Sequence, residues 1–527
     1  MTTTTASSAW SADLMAAYGL LVQERFAQAR ETLQRIVQRG GADRSRAVCL
    51  LAGVYQQEGL YSDAIRVLAK GLQASPQDAL ILAHLADLWD YVGEFGQAID
   101  AANRSLASNP SNARLAVKRA NWRVTEPVSA KAMRREYEQW AELFLPPAPP
   151  ATVRPMAKPL RGRKLRVGYV SGDLRRHALF FLIAPYFHHH DHEQVEVHVF
   201  MTKPGDSYTD SLKRVVPHWH QVHDLPTPEL VKLIQQHEMD VLVDLSGHTE
   251  GHRLEAFHQR IAPVQATWFG FIPTLGMRTM DYRLTDGRSV PIGADDQYVE
   301  APYRLECFTA YEMPHGYSGP HPAPYHHNGY VTMVSLNHER KLGDEALKLW
   351  KRILQRNPRA GLIIVSAQGT DVGARQVFER RLRKHGLPAE RVAVVGQLPL
   401  DQYMNVSAVA DFALDSYPIS GGVTTFHSLA MGLPVLTVRP AEPIALYAYT
   451  TNTLETVGMP ECVADHPDAL VELATRWIQN PGLIEQARAK SRAALLASPY
   501  MQHEARTREL EAAFRDMLLA RQETQLA

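Results

Sequence analysis

The chain has few cysteines. There are three, Cys49, Cys307 and Cys462, too far apart for a pair or a metal motif, which fits a reducing compartment. It also lacks any excess of charge: 56 Lys and Arg balance 56 Asp and Glu, so no global field draws it to nucleic acid or membrane. No apolar run approaches the ~20 residues needed to span a bilayer. The opening residues, MTTTTASSAWSADLM, contain neither the basic nor the apolar segment of a secretory leader. A cytoplasmic, soluble chain is expected. No Walker lysine follows the glycine pair Gly421-Gly422 and no GxGxxG follows the first strand pattern, which weakens ATPase and dinucleotide readings.

What is present comes first as a repeat. Gly59, Ala64, Ile65, Leu72 and Pro76 recur as Gly93, Ala98, Ile99, Leu106 and Pro110, each 34 residues later, and a looser copy runs through Phe26, Ala29 and Leu33. That period, with a small residue at the helix crossing and proline after the second helix, is the tetratricopeptide signature. Residues 1–125 are read as such repeats. Arrays of this kind bury their apolar faces on one another and bind peptides or partner proteins in a groove. Residues 126–160 are read as a helical extension, Ala130 to Phe144, and a linker, LPPAPPATVRPMAKPLRGRK, with six prolines in twenty residues.

Beyond the linker, short β-branched runs alternate with amphipathic stretches. LRVGYVS (165–171), VEVHVFM (195–201), MDVLVDLSG (239–247) and VQATWFG (264–270) form one series. VTMVSL (331–336), GLIIVSA (361–367), RVAVVG (391–396), DFALD (411–415) and PVLTVR (434–439) form a second. Two blocks of β-α alternation imply two doubly wound parallel sheets, at 161–325 and 326–527, with ligands at the carboxyl ends of the strands. The helices at 466–521 are expected to pack back across both. The segment SGGVTT after DFALD joins two glycines to an incipient helix. Glycine permits close backbone approach, and free helix amides with the Thr424 and Thr425 hydroxyls suit a phosphate. An ordinary strand-to-helix turn likes the same residues, and the segment alone does not decide between them.

These segments resemble, in order, the O-GlcNAc transferase and SPINDLY group of tetratricopeptide-containing protein O-glycosyltransferases (glycosyltransferase family 41), in a bacterial-type form. The resemblance covers the repeats, RVGYVSGDLRRHALFFL (166–182), DVLVDLSGHTEGHRL (240–254), RIAPVQATWFGF (260–271), MDYRLTD (280–286), SLNHERKL (335–342) and the LDSYPISGGVTT–MGLP block. It implies an α + α/β chain: repeats followed by a GT-B pair of Rossmann-like domains, acceptor side first and nucleotide-sugar side second. The implied activity is inverting, metal-independent transfer of GlcNAc, another hexose or fucose from a UDP- or GDP-linked donor to Ser or Thr of a protein, with no cofactor.

Carried over by that resemblance, Lys341 neutralises the leaving diphosphate, and His177 orients the acceptor hydroxyl or assists its deprotonation. Asp244 is a second proton handler or sugar binder. His248, Gln265 and His338 join the donor and substrate side, and Gly421, Gly422, Val423, Thr424 and Thr425 cradle the phosphates. Where the family commonly has an acidic residue on the ribose this chain has His427, and where it has a histidine near the base it has Tyr403. FIPTLG (271–276) replaces a YPGTSG-like stretch. These departures bear on which nucleotide and sugar are used. The implied partners are the donor and a protein or peptide acceptor in the repeat groove, without nucleic acid or membrane; homo-oligomer formation stays open. Two other readings stand beside this one: a GT-B enzyme with a non-protein acceptor, and a repeat scaffold with a decayed transferase. No metal site is expected. FHHHDHE (187–193) reads as a solvated connection, and His218, His220 and His223 as surface residues.

Overall fold

Gly59 and Gly93 both have positive φ, 72° and 79°, just past a helix end. The amides after them, Leu60 and Glu94, reach back to the carbonyls of Tyr55 and Trp89 at 2.7 and 2.9 Å, so each glycine closes a helix in the left-handed conformation that side chains disfavour. The 34-residue spacing is thus the pitch of a stack of helical hairpins. The computed structural model describes residues 10–150, 154–315, 317 and 319–526. Residues 1–9 and 151–153, which carry much of the opening stretch and the middle of the proline-rich linker, lie outside the described residues.

The repeats are α1 (Ala12–Val22), α2 (Phe26–Arg39), α3 (Arg44–Gln57), α4 (Tyr61–Ala74), α5 (Ala79–Tyr91), α6 (Phe95–Ser108) and α7 (Ala113–Arg123). Ala64 and Ala98, equivalent in the repeat, are fully buried where a larger residue would hold neighbouring helices apart. Then comes α8 (Ala130–Phe144).

The first α/β series is β1 (Leu165–Ser171), α9 (Phe180–His189), β2 (Val195–Met201), α10 (Ser207–Lys213), β3 (His218–Gln221), α11 (Thr227–Gln236), β4 (Val241–Asp244), α12 (Leu254–His258), β5 (Val264–Thr267), β6 (Tyr282–Asp286) and β7 (Ala301–Leu305). Its strands form one parallel sheet in the order β3-β2-β1-β4-β5-β6-β7.

The second series is α13 (Tyr325–Asn328), β8 (Thr332–Ser335), α14 (Asp344–Arg356), β9 (Gly361–Val365), α15 (Val372–Lys384), β10 (Val392–Val395), α16 (Leu400–Tyr403), β11 (Phe412–Leu414), α17 (Val423–Ala430), β12 (Val435–Val438), α18 (Ala445–Thr456) and β13 (Val463–Ala464). Its sheet runs β10-β9-β8-β11-β12-β13. Helices α19 (Pro467–Gln479), α20 (Pro481–Leu496) and α21 (His503–Leu526) close the chain. Repeats followed by two doubly wound sheets are the GT-B architecture expected from the sequence. Among the described residues no helix is long and apolar enough to cross a membrane.

The strands read from apolar runs are found, β1 and β2 with the bounds read and the others trimmed at their ends. Four others carry no such run. β3 (HWHQ) is a half-exposed edge, β6 and β7 are short and punctuated by Arg and Pro, and β13 has two residues. The closing helices pack as expected, α20 on α17 and α21 on α9, β5 and β7. FHHHDHE is a solvated connection only in part: His188, His192 and Glu193 are exposed, whereas Phe187 and His190 are not. The His190 side chain is buried; one ring nitrogen bonds Tyr169 at 2.9 Å and the other Glu511 of α21 at 3.0 Å. Burial opposes the Glu511 charge, but bonds from His190, the Asp191 amide and Arg508 hold its pKa at about 2.

The chain divides into two compact units. One holds the chain up to Glu126 with His338–Lys351 and Ile364–Gln397; the other holds Pro127–Asn337, Arg352–Ile363 and Leu398 onward. Within the first, Ala374 and Val377 of α15 join the core of Val48, Leu68, Ile81 and Leu88 from the repeats. A Cβ on Gly373 would lie 1.7 Å from the Gly59 carbonyl oxygen, so two backbones touch where the α3–α4 turn meets α15. Tyr61 donates to Asp371 at 3.0 Å, and Arg380 to Ser62 at 2.6 Å. Within the second, α8 lies on the first sheet, with Ala141 and Leu145 against its core.

Gly373→Ala should therefore destabilise the protein by about 1–3 kcal/mol, the usual penalty of overpacking. Gly96→Ala, in a helix with open space around it, should stabilise by about 0.5–1 kcal/mol. Urea unfolding of the two variants reads both signs; equal stability of Gly373→Ala and wild type would rule out the close backbone contact.

Candidate active site

In each sheet the strand order reverses once, between β1 and β4 in the first and between β8 and β11 in the second. Loops leaving the carboxyl ends of such paired strands splay apart and leave a crevice where ligands bind. His177 follows β1, Asp244 ends β4 and His248 follows it, His338 and Lys341 follow β8, and Gly421 and Gly422 follow β11. Topology thus gathers most of the sequence-derived candidates at the two switch points.

The loop after β11 is held by one carboxylate. Asp415, 3% exposed, takes Gly421 N at 2.7 Å, Ser416 N at 2.9 Å and Asn337 Nδ2 at 3.0 Å on one oxygen, and Thr437 Oγ1 at 2.8 Å on the other. Asn337 in turn accepts from Thr424 Oγ1 at 3.0 Å, and the Thr425 hydroxyl bonds that of Thr450 at 2.9 Å. Gly421 has no room for a side chain: its Cβ would meet Thr425 Oγ1 at 2.7 Å and Asp415 at 3.0 Å. Gly422 is different. A Cβ there meets nothing within 4 Å, and α17 begins at Val423 with no side-chain cap on its amides. An uncovered helix N-terminus offers N–H groups and a positive dipole end to an anion.

In the first sheet, Asp244 is 1% exposed and accepts from Ser246 N at 3.2 Å, Gly247 N at 2.9 Å and Thr267 Oγ1 at 2.8 Å. Burial raises its pKa against those bonds. The carboxylate is turned into its own loop, so the expected proton-handling place becomes an anchoring one. Gln265 is also redirected: fully buried, it gives both amide hydrogens to the Phe257 and Thr279 carbonyls at 2.8 Å and accepts from Ile261 N at 3.0 Å. It braces three backbone segments, and its amide hydrogens are not left for a donor molecule. His248, 5% exposed, bonds the Leu275 carbonyl through Nε2 at 3.0 Å and packs between Tyr137 and Trp140 of α8 at centroid distances of 5.4 and 4.5 Å. Burial drives its pKa down to about 3.

His177 sits on an exposed crest. Leu179 N donates to its Nδ1 at 3.2 Å, which puts the proton of the neutral ring on Nε2. Partial desolvation by the protein around the ring lowers its pKa, with Asp173 opposing and Lys203 and Arg175 reinforcing. The ring therefore presents an N–H donor. His338 caps the turn Glu339–Lys341, its Nδ1 accepting from Arg340 N at 3.2 Å. The turn carrying Lys341 is pinned on both sides: Glu339, 4% exposed, accepts from Ser366 at 2.9 Å, and Arg340 pairs with the buried Asp90 of α5 at 3.1 Å.

His427 lies in the second turn of α17, 5% exposed, with Nδ1 2.7 Å from the Tyr311 hydroxyl. Phe181 and Tyr403 meet it edge-on at 5.0 and 5.7 Å. Burial lowers its pKa to about 3, so the ring is neutral at pH 7. Tyr403 is half-buried, and burial raises its phenol above the usual range.

The family model for glycosyl transferase family 41 matches residues 150–315 and 324–510. The chain belongs to that family. It is 30% identical over 392 residues to the probable UDP-N-acetylglucosamine–peptide N-acetylglucosaminyltransferase SPINDLY of Solanum lycopersicum, a match covering 72% of this chain and 41% of the relative. The Arabidopsis thaliana SPINDLY is 30% identical over 363 residues, covering 67% and 39%. The chain thus spans about two-fifths of the curated SPINDLY relatives it matches. Among solved structures, a Thermobaculum terrenum O-GlcNAc transferase mutant superposes with a TM-score of 0.84 at 28% identity, over 98% of each chain.

Sequence reasoning passed over Asn337, Tyr311 and Thr437. Asn337 stands directly after a strand and inside the SLNHERKL segment, a readable signal. Tyr311 and Thr437 become visible only when the fold brings them to His427 and Asp415.

Two buried neutral imidazoles have a measurable consequence. An unfolded histidine takes a proton below about pH 6.5, whereas His248 and His427 resist until about 3. Their contribution is complete above pH 6.5 and drains as pH falls, by at most about 1.4 kcal/mol per pH unit for each ring. In urea melts at pH 7 and pH 5, His248→Asn and His427→Gln should each show a shallower pH dependence than wild type. Unchanged slopes in both would mean that the rings titrate normally in the fold.

Proposed function

We propose that the chain is an inverting, metal-independent protein O-glycosyltransferase. It moves a sugar from a nucleotide diphosphate to Ser or Thr hydroxyls of proteins recruited by the repeats. The observation that carries this reading is the first turn of α17: amides without a side-chain cap, open space over Gly422, and a turn held by Asp415 and Asn337 at the switch point of the second sheet. Such a turn fits a donor phosphate, and family membership makes a sugar nucleotide the natural ligand. The names of the relatives favour UDP-N-acetylglucosamine as the first donor to try. His427 and Tyr403 stand on the nucleotide side and bear on donor choice.

In the transfer step the acceptor oxygen attacks the anomeric carbon opposite the leaving group. The bond from that carbon to the phosphate oxygen breaks, the configuration inverts, and the acceptor hydroxyl loses its proton. Negative charge grows on the departing diphosphate. Lys341 and the α17 amides supply the positive charge that stabilises it, in place of a metal ion. His177, with Nδ1 engaged, orients the acceptor hydroxyl through Nε2–H rather than removing its proton. Asp244 is sealed in its loop. A phosphate oxygen of the leaving diphosphate then serves as the base and carries the proton away. The buried free thiols of Cys49, Cys307 and Cys462 support a reducing, cytoplasmic setting.

The test is a panel of UDP-, GDP- and dTDP-sugars incubated with the chain and a protein acceptor in the presence of EDTA. Turnover with one donor class is expected, insensitive to the chelator. Lys341→Ala should cut kcat by about 10²–10³ with folding intact, as loss of a transition-state charge partner does. Activity within about threefold of wild type would reject the role given to Lys341, and strong EDTA inhibition with the melting midpoint unchanged would sink the metal-free step.

A further inference from the structure

Four histidines distant in sequence meet at the edge of the first sheet. His198 lies on β2, His218 and His220 on β3, and His237 caps the C-terminal end of α11. Parallel pairing sets His198 beside His218 and Phe200 beside His220. The rings of His198 and His220 lie 5.5 Å apart and nearly coplanar in tilt, at 10°, while His237 approaches them at 5.0 and 4.5 Å. One nitrogen from each of these three rings lies within 4.8 Å of the other two.

Two details favour ligation over a plain packing cluster. His198 Nδ1 and His220 Nε2 are 3.3 Å apart. A tetrahedral ion with bonds of about 2.0–2.1 Å holds its nitrogens about 3.3–3.4 Å apart, so this pair already has the required spacing. Secondly, His198 Nε2 bonds Glu196 Oε1 at 2.9 Å, and Arg166 holds the same carboxylate at 3.2 Å. A carboxylate behind the far nitrogen of an imidazole fixes its tautomer and turns the other lone pair towards the metal, the usual support of a histidine ligand. A lone His–His hydrogen bond requires neither the third ring nor the carboxylate.

We propose that His198, His220 and His237 bind a late first-row divalent cation, Zn2+ foremost, with Glu196 orienting His198 and water as the fourth ligand. Three imidazoles suit Zn2+, Cu2+ or Ni2+ and disfavour Mg2+ and Ca2+, which take oxygen. The ion ties the edge strand β3 to β2 and to the end of α11. The site is structural and has no part in transfer: it lies on β2, the edge strand β3 and the end of α11, elements that carry neither His177 nor Asp244. It holds whether or not the proposed transferase reading does.

The experiment uses the untagged full chain, stripped with chelator and titrated with ZnCl2 against a chromophoric chelator, with Co2+ as a spectroscopic probe. One ion per chain is expected, with the intense visible absorption of four-coordinate Co2+ and a higher melting midpoint when Zn2+ is added. His237→Ala and Glu196→Gln should each weaken Zn2+ by about tenfold or more. His188→Gln should change nothing. If His198→Ala does not fold, His237→Ala, at a half-buried helix end, still decides. Equal Zn2+ affinity in wild type and His237→Ala, equal loss in His188→Gln, or the pale spectrum of six-coordinate Co2+ would each overturn the site.

Discussion

A carboxylate buried at the end of a central strand organises both sheets, and it does so twice in the same way. Asp244 closes β4 and Asp415 follows β11, each across the switch point from the first strand of its series. Each binds two amides of the loop beyond it and the hydroxyl of a threonine on the next strand, Thr267 or Thr437, at 2.8 Å. An ionised group removed from water needs such partners, and meeting the need fixes the loop. The glycine turn before α17 and the loop before α12 thus owe their shapes to charges that touch no solvent. The groups proposed to meet substrate, the α17 amides and His177, are borne on loops at these same switch points.

The C-terminal helix adds a second layer of constraint. α21 is clasped to the first α/β series by His190 against Glu511, by Arg506 against Glu306 at 2.6 Å, and by Tyr303 donating to Asp516 at 3.0 Å. The side chains of His190 and Glu511 are almost wholly buried, so this pairing carries desolvated polar groups and holds one geometry. The last stretch of chain thereby stabilises strands laid down far earlier, at Tyr303 and Tyr169.

Much of this was legible in the sequence. β1 and β2 could be read because nearly every residue is buried and apolar, β-branched or aromatic residues dominate both runs, Arg166 and Glu196 being the partly exposed exceptions. The repeat could be read because its landmarks keep one offset. β3 could not, since HWHQ is an edge strand with polar residues on both sides. At the site, the family resemblance is what pointed to His177 and Lys341, and the glycines and hydroxyls of SGGVTT suggested an anion-binding turn. Neither was enough for Asp244 and Gln265, whose partners Thr267, Phe257 and Thr279 are set by register and loop path. His427 could be placed after the glycines, but its neutral, Tyr311-bound state depends on burial that no local spacing reveals.

The contact between Gly59 and Gly373 also bears on how such a chain can change. Repeat arrays are usually treated as interchangeable modules, lengthened or exchanged without regard to the domains they precede. Here the turn between α3 and α4 is fitted to α15 backbone to backbone, and Tyr61 and Ser62 are matched to Asp371 and Arg380. That repeat can be replaced only together with its counterpart in the second α/β series. Units joined ahead of α1 meet no such restriction at this joint, so variation in repeat number is free on one side of Gly59 and bound to α15 on the other.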